Sequence, residues 1–193
     1  MKEIENIKYI AFPVVFGVLW GLFEMIFGSY LHIVNFPLRG ALMIGLGSVF
    51  MVVLRNYVNR PGVNLIASFA CIVVKLFSYG GFKLGPVVGI LIEGVIFEVS
   101  FFILKFNIFS VFVATFLAVF ESVPHFFITT WIIYGGSIFE VYMRALGNIA
   151  DFFGFSTRFY IKIFSIWIFA HFLIALFSFL ISKNILKWLK NEI

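Results

Sequence analysis

Six apolar runs, each separated from the next by a short polar break, leave this chain little choice of architecture. They span about Tyr9–Leu31, Leu38–Leu54, Val63–Phe77, Pro86–Leu104, Ile108–Ile133 and Phe159–Leu180. A helix rises about 1.5 Å per residue and the bilayer's hydrocarbon core is about 30 Å thick, so roughly 20 residues cross it. Lipid offers no partners to backbone N–H and C=O groups, and a helix satisfies its own. Composition agrees: 63% of the 193 residues are apolar and 12% are charged, against about 45–50% and about 25% in soluble domains. No globular core of this size hides so much apolar surface. A soluble enzyme and a nucleic-acid module are thereby excluded. The expectation is all-α: one polytopic domain over residues 1–193, a six-helix bundle in the lipid bilayer.

The breaks have local causes. Asn35-Phe36-Pro37 precedes Arg39, Asn59-Arg60-Pro61-Gly62 is a turn signature, Ser78-Tyr79-Gly80-Gly81 ends the third run, and Lys105 and Asn107 divide the fourth from the fifth. The third run is short and is expected to be shielded by its neighbours or little tilted. Between the fifth and sixth runs, Gly135 to Thr157 carries Glu140, Arg144 and Asp151 and is expected to hold an interfacial helix around Phe139–Ile149. The first run follows a segment with Glu3 and Glu5 among its lysines and no small-residue cleavage site, so it reads as a retained span.

Six spans place both termini on one side. That side then holds Lys2, Lys8, Arg55, Arg60, Lys105, Lys183, Lys187 and Lys190, and the other holds Arg39, Lys83, Arg144, Arg158 and Lys162. Basic residues concentrate on the cytoplasmic face, so both termini are expected inside the cell membrane of a prokaryote. The net charge of +5 then reflects topology, not a nucleic-acid partner. The one cysteine, Cys71, sits in an apolar run and excludes a disulfide framework or a thiolate metal cluster.

Glu24, Lys75, Glu93, Glu98 and Glu121 fall inside the apolar runs, with His125 and His171, and His32 lies at the outer end of the first. Each such charge costs roughly 2.5–3.5 kcal/mol on insertion scales, so an intramembrane set of this size suggests a use. With the termini inside, Glu24, Lys75, Glu121 and His125 fall in the outer half and Glu93 near the middle. That is where a receptor for an external solute places its pocket. Lys75 either snorkels to the interface or pairs with Glu24. Pro124-His125 either caps a kink or supplies a ligand contact. Glu98 reads as a helix–helix or partner contact, and His171 as a packing residue. Glu93 is the strongest candidate for solute contact; it follows Gly81, Gly85 and Gly89, whose spacing lets another segment approach that span. The 29 phenylalanines are mostly lipid-facing, while Trp131, Tyr79 and other outer aromatics suit an interfacial belt or stacking on a planar ring. Gly17-Val-Leu-Trp-Gly21 forms a small-xxx-small face for close approach, within the chain or to a partner.

A phosphate loop is absent, so this chain does not hydrolyse ATP itself, and a His-Glu-x-x-His pair is absent too. Arg60-Pro61-Gly62, an apolar span, Gly85-Pro86-Val87-Val88-Gly89-Ile90, and Glu98 followed by Val99 and Phe101 resemble the substrate-binding S components of energy-coupling factor transporters. The likeness is to their thiamine-precursor (hydroxymethylpyrimidine) branch, over roughly residues 55–104. Beyond that stretch the chain matches in topology.

The resemblance implies a membrane-embedded binder of a small heteroaromatic vitamin, not an enzyme. It would dock on a transmembrane coupling subunit driven by two cytoplasmic ATPases, without metal or cofactor. It implies a pocket in the outer half, closed by loops that here contain His32–Asn35, Tyr79–Lys83 and the 135–157 stretch. The residues expected at the ligand are Glu93, Glu121, His125, Trp131, Glu24, Lys75, His32 and Tyr79, and those expected at the coupling subunit are Gly17 and Gly21, which stand where the family carries alanines. The alternative is a small intramembrane hydrolase or lipid-modifying enzyme using Glu93, His125 and His171.

Overall fold

The computed structural model describes residues 2–78, 84–156 and 160–191, and all regular structure among them is helical. The chain runs as α1 (Lys2–Phe23), a π-turn (Glu24–Gly28), α2 (Ser29–Ile33), α3 (Arg39–Tyr57), α4 (Val63–Leu76), α5 (Leu84–Leu104), α6 (Ile108–Tyr134), α7 (Ile138–Phe153) and α8 (Tyr160–Asn191). Among the described residues, five stretches are long and apolar enough to cross a membrane: Ile7–Ile33, Arg39–Tyr57, Leu84–Leu104, Ile108–Ile132 and Ile161–Asn191. The protein is thus a helical, multi-pass type of molecule. The third run folds as α4, whose 14 residues reach about 21 Å at 1.5 Å each, short of the about 30 Å hydrocarbon core.

Short as it is, α4 is packed closely between its neighbours, although α3 buries the larger share of its residues. Helix α4 packs chiefly along α1 and α5 and buries Val63, Asn64, Ala67, Ser68, Cys71 and Lys75. Gly17 and Gly21 explain the close approach. A Cβ on Gly17 would collide with the Ala67 carbonyl oxygen, and one on Gly21 would stand 2.7 Å from Val74 Cβ. The small-residue face is therefore closed inside the chain by α4. Of the two uses open to that face, close approach within the chain is the one realised here.

Polar ties hold α4 at both ends. At its start, Gly62 adopts a left-handed φ of +90°, where glycine is the natural residue. The Glu98 carboxylate of α5 accepts from the Gly62 and Asn64 N–H groups at 2.7 and 3.2 Å, so a side chain from another helix caps α4. Arg55 of α3 adds an ion pair to Glu98 at 3.1 Å and donates to the Arg60 carbonyl. At the other end, Lys75 donates to the Glu24 carboxylate at 3.0 Å and to the Glu24 carbonyl at 2.7 Å.

The main core joins Trp20, Met51, Val52, Leu54, Phe97, Phe101, Val111 and Val119 from α1, α3, α5 and α6. A second cluster joins α7 to α6 and α8 through Leu146, Ile149, Ala150, Ile163 and Trp167. The helix expected around Phe139–Ile149 is α7. Ser137 and Glu140 close a capping box at its start, its apolar face packs on the bundle, and Glu140, Arg144 and Asp151 are exposed. The α8 helix continues to Asn191 rather than ending near Leu180 as the apolar run does. Its 32 residues span about 48 Å, more than a bilayer core requires.

Candidate functional site

At one end of the bundle the helices part around a cavity of ≈ 260 Å³. Its wall is drawn from the π-turn, from α2, from the start of α3, the end of α4, the start of α5, the last third of α6 and the early part of α8. Those are the same ends in space, as an alternating up-and-down path requires. Glu24, Lys75, Glu93, His125 and His32, scattered over the sequence, all line this one cavity.

Glu24 and Lys75 form its most saturated element. Both side chains are 8% exposed, and the lysine reaches two oxygens of one residue. Two local features make room. The π-turn, a register shift often found at functional sites, carries Glu24 at its start. Gly28 leaves space for the ammonium group, because a Cβ there would lie 2.7 Å from Lys75 Nζ. Of the two readings open for Lys75, pairing with Glu24 is the one realised.

His125 is held on both sides. Nε2 faces the Gly85 carbonyl at 3.0 Å; a carbonyl only accepts, so this nitrogen carries the proton. Nδ1 stands 3.4 Å from Glu121 Oε1. The imidazole therefore faces acceptors at both nitrogens and is fixed in orientation. The close approach anticipated from the glycines of α5 is made by this ring: a Cβ on Gly89 would stand 3.6 Å from His125 Nε2, and one on Gly85 would stand 3.0 Å from Thr129 Cγ2. Glu121 itself is not in the wall. It stands behind His125, and its Oε2 has no hydrogen-bond partner among the described residues.

Glu93 lies at the bottom, 1% exposed. Its Oε1 has no hydrogen-bond partner among the described residues, and none of the ion pairs found among them includes it. A buried carboxyl group with an unused acceptor is costly, by about 1–3 kcal/mol for the unmade hydrogen bond alone.

Sequence reasoning missed part of the wall. His171, expected to be a packing residue, is a wall residue whose Nδ1–H donates to the Trp167 carbonyl at 2.8 Å. In the neutral ring that bond leaves Nε2 as an acceptor. Trp167 packs edge-on against it, centroids 4.5 Å apart, and anchors its own Nε1–H on the Pro37 carbonyl at 3.1 Å. The aromatic faces at the cavity belong to Trp167 and Phe126. Trp131 is not among them. It is half exposed, and its Nε1–H donates to the Gly136 carbonyl at the end of α6. Only the polar residue type could have signalled His171; nothing local distinguishes it from a core histidine. Tyr79, and with it the 79–83 loop, lies outside the described residues.

Glu98 is far from this cavity in role as well as place, capping α4 at the opposite end. No group of three or more His, Cys, Asp or Glu among the described residues is arranged to hold a metal ion. The arrangement is therefore a largely apolar chamber of ≈ 260 Å³ with a buried acid at its bottom, a neutralised ion pair in one wall and aromatic side chains in another. Compared with known protein families, curated proteins and solved structures, the chain matches none.

Proposed function

We propose that this protein is the substrate-binding subunit of an energy-coupling factor type uptake transporter, capturing a small heteroaromatic vitamin or precursor such as thiamine or hydroxymethylpyrimidine. In this reading α4 is a sixth span, shortened because its ends are tied to Glu98 and Glu24. Both termini are cytoplasmic, in the cytoplasmic membrane of a prokaryote, and the cavity faces outward. The protein binds and does not catalyse; a transmembrane coupling subunit and two ATPases drive release. The coupling subunit engages a face other than the Gly17–Gly21 stripe, which α4 occupies.

The observation that carries the reading is the unpaired carboxyl group of Glu93 on the cavity wall. The Glu24–Lys75 pair neutralises itself and His125 is matched to Glu121, whereas Glu93 borders the cavity without an ion-pair partner among the described residues. A ring amino group or a cationic ring supplies one. His171 Nε2 offers a second acceptor, and Trp167 or Phe126 a surface for stacking. A wall with buried acceptors discriminates well, because an analogue lacking the donor leaves them unpaired.

The enzyme reading draws on Glu93, His125 and His171 sharing one cavity. Against it, His125 has both nitrogens engaged, and the Ser122 hydroxyl in the same wall donates to the Val119 carbonyl at 2.7 Å instead of to a histidine. Ser122 and His125 are thus not in nucleophile–base contact.

Mass spectrometry of small molecules retained by the purified protein, followed by calorimetry with thiamine and hydroxymethylpyrimidine, tests the proposal. A retained vitamin is expected. Glu93→Gln should then weaken binding tenfold or more, about 1.4 kcal/mol, and Glu98→Gln should leave affinity nearly unchanged. Unaltered affinity in Glu93→Gln, or turnover of a lipid or peptide with no retained vitamin, overturns it.

A further inference from the structure

Two buried polar atoms from different helices face one glycine, and neither has a hydrogen-bond partner among the described residues. One is Nε1 of Trp20, a side chain on α1 with no exposed surface. The other is Oε1 of Glu93 on α5. Gly47 of α3 lies between them. A Cβ built on Gly47 would stand 2.8 Å from Trp20 Nε1 and would collide with Glu93 Oε1. An obligate donor and an acceptor therefore lie about one point in space, within reach of a rotation of the Glu93 side chain. Any residue larger than glycine at position 47 would fill that space. Left apart, each atom bears the full penalty of a buried unmade bond; joined, both penalties vanish.

We infer that Trp20 is the positioning residue for the cavity's acid. Its indole N–H donates to Glu93 Oε1 beside Gly47, and this bond fixes the plane of the carboxyl group so that the second oxygen is presented to the cavity. Trp20 is not itself in the cavity wall, so it acts through Glu93. Three helices are involved, which makes the presentation of the acid a property of how α1, α3 and α5 pack. The bond is inferred from the two unpartnered atoms that meet beside Gly47, while its effect on affinity rests on the proposed ligand role of Glu93.

Ultraviolet resonance Raman spectroscopy of the purified full-length protein tests the bond, since the indole N–H band reports hydrogen bonding. The difference between wild type and Trp20→Phe isolates Trp20 from the other three tryptophans. A hydrogen-bonded indole is expected in wild type and an unbonded one in Glu93→Leu and in Gly47→Ala, which keeps Trp20 but drives the two atoms apart. An unbonded band in wild type, or one unmoved by Glu93→Leu, overturns the assignment. Calorimetry with thiamine as the probe tests the consequence. Trp20→Phe should weaken binding three- to tenfold, and Trp20→Phe added to Glu93→Gln should weaken it no further than Glu93→Gln alone. Full affinity in Trp20→Phe, or additive losses as from an unrelated packing defect, refutes the positioning role. A wild type that binds neither thiamine nor hydroxymethylpyrimidine removes the vitamin reading, and the Raman result still decides the bond.

Discussion

Removing Lys75 should damage the protein far more than removing Lys75 and Glu24 together. Lys75 is enclosed with its partner, each side chain 8% exposed, and it gives one bond to the carboxylate at 3.0 Å and one to the backbone carbonyl at 2.7 Å. Lys75→Met keeps much of the length and apolar stem but strands the Glu24 carboxylate. Breaking a buried pair in this way costs about 3–5 kcal/mol, whereas replacing both members by neutral groups of similar volume is often neutral or stabilising. Glu24→Gln should be milder than Lys75→Met, because the ammonium keeps the Glu24 carbonyl. In Glu24→Gln/Lys75→Met no charge is stranded, so stability should return to within about 1–2 kcal/mol of wild type, giving a coupling energy of at least about 2–3 kcal/mol. Equilibrium unfolding in mild detergent titrated with a denaturing one, followed by circular dichroism, measures all four proteins. Additive losses would refute the argument: the pair would then be two independent packing residues.

Other outcomes follow from the same geometry. Glu98→Gln should lower stability by about 3–5 kcal/mol, since it strands Arg55 and weakens the cap of α4, and the same unfolding measurement checks it. Gly17→Ala and Gly21→Ala should each cost about 1–3 kcal/mol from overpacking the α1–α4 seam, and no loss on unfolding would show that the seam yields freely. For topology, maleimide labelling of intact cells should reach Asn35→Cys and not Lys187→Cys; the native Cys71 is buried and gives little background. The reverse pattern would turn the cavity toward the cytoplasm.

The helices were legible because hydropathy acts locally. Runs of apolar residues bounded by Pro, Gly and Asn place α3, α4, α5 and α6 within a few residues of their observed limits. Two departures have physical reasons. A π-turn is a register shift of one residue that leaves the apolar pattern intact, so the break at Glu24 is invisible in it. The tail of α8 is amphipathic rather than apolar, with Leu186 and Leu189 buried and Lys183, Lys187 and Lys190 exposed, and a hydropathy run stops before it. The site was legible by charge: an ionisable residue in an apolar run attracts notice wherever it lies. Trp131 and Trp167 show the limit of that reasoning. Both read as amphipathic aromatics, and only the packing of α8 against α3 and α6 decides which one meets the cavity.

The two carboxylates of α5 show what a sequence leaves undecided. Glu93 and Glu98 are five residues apart on one helix, both in an apolar run and both expensive to insert. Glu98 receives an arginine and two backbone N–H groups, so its acceptor capacity is used in holding α3, α4 and α5 together. Glu93 receives nothing at Oε1 and borders a cavity. The difference lies in satisfaction, and satisfaction is a property of three-dimensional neighbours. Five residues are about 500° of helical turn, so the two side chains leave α5 in directions about 140° apart and some 7.5 Å apart along the axis. One faces the start of α4, where a helix end presents free backbone N–H groups; the other faces Gly47 of α3 and Trp20 of α1, where no helix end does. A membrane bundle that needs a carboxylate for structure saturates it. One that leaves a carboxylate oxygen unsaturated beside a chamber has an acceptor to spare, which is what the proposed ligand role of Glu93 draws on.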